Sequence, residues 1–106
     1  MANPQQEGFW GSKLEPHYPS PSPNTLSDSE AADIFQLIKK KEKRASLIQY
    51  KGFAISRIEK KVRVGSGTFR SGNWEWPQGF AEHYVKKHKV RPSDGFLKFI
   101  GFISKN

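Results

Sequence analysis

The sequence predicts an α+β fold. A small three- or four-stranded antiparallel sheet is packed by an N-terminal helix and one or two C-terminal helices, behind an extended Pro-rich leader. Three observations predict it. An apolar stripe at helical spacing runs through residues 31–41, between an acidic start and a basic end. Strand-forming residues then gather in short runs over 47–76, separated by Gly, Ser and Asn. A second helical pattern follows Trp76 and stops at Pro92. The expected order is α-β-β-β-α-α, with the helices on one face of the sheet.

Residues 1–24 read as the leader, and 25–106 as a single domain. Five of the seven prolines lie in the leader, and Pro19-Ser20-Pro21-Ser22-Pro23 favours polyproline II over helix. Phe9-Trp10 and His17-Tyr18 stand out in it. They suit packing onto the following domain, because an exposed Trp is a liability in a small protein; a docking segment for a partner is the other reading.

Helix 1 begins at Ser27. Ser27-Asp28-Ser29-Glu30 has capping-box spacing, so Glu30 can reach back to the cap amide. Lys39, Lys40, Lys41, Lys43 and Arg44 enrich its last turns, and it ends by Ala45. Strands are expected at 47–50, 53–58 and 62–64, and Gly65-Ser66-Gly67 is expected to break the chain as a turn. Thr68-Phe69-Arg70 and Trp74-Glu75-Trp76 flank a hairpin turn at Ser71-Gly72-Asn73. Trp74 and Trp76 share a face. Core packing explains them better than base stacking, since helices are expected to cover that face. Helix 2 is expected to start at Pro77, with Phe80, Ala81, Tyr84, Val85 and His88 inward. Ser93-Asp94 can cap a third, short helix carrying Phe96, Leu97, Phe99 and Ile100.

Composition limits what such a domain can do. The chain has 106 residues, 35% of them apolar, so its core is small and leans on its aromatic side chains. With no cysteine, disulfide scaffolds, thiolate zinc sites and cysteine nucleophiles are excluded. No apolar run approaches the ~18 residues that span a bilayer. The polar start lacks a secretory h-region, and a cytoplasmic protein is expected.

The net charge of +8 is unevenly spread. Residues 1–30 hold one base and four acids, a net of −3; residues 31–106 hold seventeen bases and six acids, a net of +11. A domain so cationic draws polyanions. Arg57, Lys60, Lys61 and Arg63 lie in or beside strands. With Arg70, and with Lys86 and Lys87 from helix 2, they are the candidate nucleic-acid-binding residues. Arg57, Arg63 and Arg70 form a phosphate-tracking stripe if the strands pair suitably. An acidic protein surface is the alternative partner, and plain solvation accounts for charge without function.

No catalytic or cofactor motif is present. His83 and His88 are five apart, about 140° around an α-helix, so they are not expected to converge on a metal. His17 is remote. His83 with Glu75 or Glu82 offers a weak general base, and a satisfied histidine is commoner. A non-enzymatic binding module without metal or cofactor is therefore expected, with an inhibitor, adaptor or immunity-type protein as the second form.

Over residues 52–100 the chain resembles a family of small, largely uncharacterised bacterial proteins. The shared residues are Gly52-Phe53, Ser56-Arg57-Ile58, Gly65-Ser66, Trp76-Pro77-Gln78-Gly79-Phe80, His83-Tyr84-Val85, His88, Val90, Pro92 and Phe96. They follow a W-P-x-G-x-x-x-H-Y-V-x-x-H-x-V-x-P-x-x-x-F signature covering about half the chain. The resemblance implies that strand, hairpin and helix 2 form one unit, and it brings no established activity. Members often carry Cys-x-x-Cys in the first strand. The matching positions here are Ser56 and Glu59, which lack the thiolates that a metal or redox role of that pair would use.

Overall fold

The computed structural model describes residues 5–8, 22–55, 58–59 and 63–103. The chain is α+β. Strand β1 (Gln5–Gln6) precedes helix α1 (Asp28–Glu42), followed by β2 (Ser46–Ile55), β3 (Arg63–Ser71) and β4 (Trp74–Pro77). A π-helix (Phe80–Lys87) and helix α2 (Asp94–Ile100) complete the described chain. No helix among the described residues is long and apolar enough to cross a membrane.

The sheet order is β1-β4-β3-β2. The β2–β3 and β3–β4 pairs are antiparallel, as expected, but β1 joins β4 in parallel, so the sheet is mixed. The difference arises within the segment read as leader. Gln5 N donates to Asn73 O at 2.8 Å and Glu7 N to Glu75 O at 2.9 Å. A two-residue strand has no hydrophobic alternation for the sequence to display. Phe9-Trp10, His17-Tyr18 and most of the prolines lie outside the described residues.

Helix α1 starts where its cap predicts. Ser27 Oγ accepts from Glu30 N at 3.1 Å, and Glu30 Oε1 accepts from Ser27 N at 2.9 Å. Ala31, Ile34 and Ile38 carry its buried face. The stretches 47–50 and 53–55 belong to one long strand, with register irregularities between Gln49 and Ile55.

Gly65-Ser66-Gly67 does not break the chain; it lies within β3. The glycines are there for close approach. A Cβ on Gly65 would overlap the Gln78 carbonyl oxygen, and one on Gly67 would sit 2.8 Å from the Ile48 carbonyl oxygen. The Gln78 turn is bonded across this stretch: Gln78 N donates to Gly67 O at 2.8 Å, and Ser66 N to Gln78 Oε1 at 3.0 Å. These bonds keep Pro77 in β4 rather than in a first helical turn. Gly79, at φ 89°, turns the chain into the π-helix.

Trp74 and Trp76 face the core, as expected. Trp76 is fully buried, stacked on Phe69 with ring centroids 5.9 Å apart and edge-on to Phe96 at 5.5 Å. Its indole Nε1 donates to the buried carboxylate of Glu42 at 3.0 Å. The other Glu42 oxygen lies 2.8 Å from Lys39 Nζ. One acidic side chain thus ties α1 to the sheet. Ser93 caps α2, accepting from Phe96 N at 3.3 Å, and Phe102 and Ile103 pack back on the core.

Candidate functional site

The seven candidate nucleic-acid-binding residues are not gathered into one described stripe. Arg57, Lys60 and Lys61 lie outside the described residues. Arg63 is exposed at the start of β3. Arg70 faces solvent opposite Glu75 in register and donates to it from Nε at 2.9 Å and from Nη2 at 2.5 Å. Lys86 lies over the Phe35 ring, 4.7 Å from its centroid. Lys87 donates to both oxygens of Glu59, at 3.0 and 2.8 Å.

Other cations are matched as well. Lys39 pairs with Glu42 and Glu82, Lys89 with Asp28, and Arg91 with Asp94. Its two carboxylate partners, Glu42 ahead of Glu82, raise the affinity of Lys39 for its proton. Lys40, Lys43, Arg44 and Lys98 have no carboxylate partner among the described residues. Three of them sit on the last turn of α1 and the turn just beyond it. There Gln36, Leu37, Lys39, Lys40 and Lys43 line a surface hollow of about 300 Å³. Lys41, between them, lies 4.7 Å from the Phe99 ring centroid of α2.

The second grouping is one the α-helical reading excludes. His83 and His88 do converge. The element carrying them is wound as a π-helix, and His88 N donates to His83 O at 3.2 Å, an i→i+5 bond. In such a wider turn residues five apart fall on the same side of the helix, rather than about 140° apart. The two rings are 4.8 Å apart, centroid to centroid. Glu59 closes the group from the segment between β2 and β3. Its Oε2 is 3.0 Å from His88 Nε2 and 3.5 Å from His83 Nε2. The His83 side chain is 9% exposed, that of His88 18% and that of Glu59 31%, so the group opens to solvent on the glutamate side.

Electrostatics follow the geometry. Hydrogen bonds from Lys87 and then His88 hold the Glu59 carboxyl down at about 2. Burial, and next the proximity of His88, push His83 below the usual histidine range, against the pull of Glu59. The arrangement supplies two imidazoles and one carboxylate to a common point, with an ammonium beside the carboxylate.

No family profile, no curated protein and no solved structure matches this chain.

Proposed function

We propose that this protein is a small basic binding module, without catalytic function, that associates with nucleic acid through a cationic surface. The observation that carries the reading is the set of cations at the end of α1 that have no carboxylate partner among the described residues. Lys40 and Lys43 line, with Lys39, Gln36 and Leu37, a single hollow, and Arg44 follows in the turn just beyond the helix. Ammonium and guanidinium groups unanswered by carboxylates are the ones that release counterions when they meet phosphates. Arg70 and Lys87, matched by Glu75 and Glu59, contribute less to such a surface.

Fluorescence anisotropy with labelled single-stranded and duplex oligonucleotides tests the reading. Neutralising about three phosphates predicts a log–log salt slope of about −2.7 on duplex and about −2.1 on single strands. The triple reversal K40E/K43E/R44E abolishes binding at low salt if the surface is the one named. Unchanged binding by that variant overturns the assignment.

A second reading has its own support. Leu47 and Ile48, 40% and 50% exposed, stand on opposite faces of the edge strand just after the basic turn, so a partner gripping that edge meets both. An acidic protein with an apolar spot would meet both features at once. The double substitution L47S/I48S then releases a protein partner while leaving oligonucleotide binding intact.

A further inference from the structure

We propose that Glu59, His83 and His88 form a binding site for one first-row divalent transition-metal ion, Zn²⁺ by preference. This goes beyond the nucleic-acid reading and does not depend on it.

Three lines of geometry support the site. The three ligand atoms all lie within 4.8 Å of one another. Zinc bonds to imidazole and carboxylate are about 2.0–2.2 Å long, which sets tetrahedral ligand–ligand distances of roughly 3.3 Å. The Glu59 Oε2 distances of 3.0 and 3.5 Å to the two histidine Nε2 atoms bracket that value. The third edge, between the two imidazoles, is bounded only at 4.8 Å, and drawing the rings together along it is the rearrangement an ion requires.

The donor set selects the class of ion. Two neutral nitrogens and one oxygen are a poor cage for Ca²⁺ or Mg²⁺, which take oxygen ligands. Without a thiolate the site does not favour Cu(I). Two histidines and a carboxylate are a common zinc set, and three protein ligands leave a fourth position for water. The position falls on the solvent side, because His83 closes the inner side.

The backbone supplies the third line. An α-helix would hold these histidines on different faces, and π-winding, a rare turn frequent at functional sites, brings them together. The flanking residues Phe80, Ala81, Tyr84 and Val85 are buried, so the core holds the wide turn in place. Lys87 acts beside the ligands. It reaches both Glu59 oxygens; with an ion on Oε2, its bond to Oε1 orients the carboxylate, the positioning role of an outer-sphere partner.

The test uses the full chain, stripped with chelator and titrated with ZnCl₂ by calorimetry, and with CoCl₂ by visible absorption. One equivalent of Zn²⁺ is expected to bind saturably. Cobalt is expected to show the visible bands of a low-coordinate nitrogen–oxygen site. At a hundredfold excess over Kd, zinc should raise Tm by roughly 10 °C. Glu59→Gln and His88→Gln, at partly exposed positions and checked for a wild-type circular dichroism spectrum, should each weaken zinc binding by more than about tenfold, the loss that removal of even an outer-sphere partner causes. The absence of saturable binding in the unaltered chain overturns the proposal. So does an unchanged affinity in both folded variants. Oligonucleotide binding is read separately and fails or survives by itself.

Discussion

At the scale of single residues, carboxylates organise much of this molecule. Glu42 sits beneath α1 with the Trp76 indole on one oxygen and Lys39 against the other. The second oxygen is buried without a hydrogen bond, so the Lys39 charge 2.8 Å away is what offsets its burial. Glu59 does a different job at the surface. Its folded pKa of about 2 lies below the ordinary 4.5. A depressed acid adds stability that is fully present above the unfolded value and drains as pH falls through the folded one. In metal-free buffer, the stability that Glu59 adds relative to Glu59→Gln should therefore drain as pH falls from about 5 toward 2. Urea denaturation at a series of pH values measures it, and a difference that stays flat down to pH 2 contradicts the assignment. No motif in the residues around Glu59 marks it as part of a site. Its closeness to His83 and His88 depends on tertiary packing, which local spacing does not encode.

At the scale of elements, the π-helix is the part that the sequence conceals. Phe80, Ala81, Tyr84 and Val85 fit an α-helical face, and the same residues are buried in the wider turn. Hydrophobic spacing over eight residues cannot separate the two windings. Geometry at the entrance is more telling. Gly79 takes φ 89°, and a Cβ there would overlap the Val64 carbonyl oxygen. Gly79→Ala is thus expected to cost more than about 3 kcal/mol, from combined strain and overlap. Thermal unfolding gives the value; a loss below 1 kcal/mol, within the range of ordinary surface substitutions, would refute the close approach. By contrast, helix α1 was readable to within a residue at its start, because its signal is chemical: Ser27 and Glu30 at capping-box spacing. Gly65-Ser66-Gly67 misleads because glycines mark turns and also strands pressed against another backbone.

At the scale of the whole molecule, the fold class was readable from the order of patterns, and the parallel strand at its edge was not. Strand β1 is recruited by β4, and Glu7 is held by Ser93, whose N and Oγ donate to its two oxygens at 3.0 and 2.5 Å. Burial raises the Glu7 pKa against the pull of both bonds. A chain shortened to residues 22–106 would lose this lock and leave β4 as an open edge. Such a chain is expected to be about 2–4 kcal/mol less stable and to self-associate through the bared strand. Urea midpoints and sedimentation read the two effects; a stable, monomeric truncated chain would show that β1 is dispensable.

The Glu7–Ser93 lock also bears on how the protein is made. Its two residues stand 86 positions apart, and the N-terminal one leaves the ribosome first. While translation proceeds, Gln5 and Gln6 have no β4 to pair with, and Glu7 has no serine to accept from. Of the described strands, the first in the chain is thus the one that waits longest for its partner. Until Ser93 joins the fold, β1 rests on its backbone bonds to Asn73 and Glu75, and the Glu7 carboxylate lacks both of its donors.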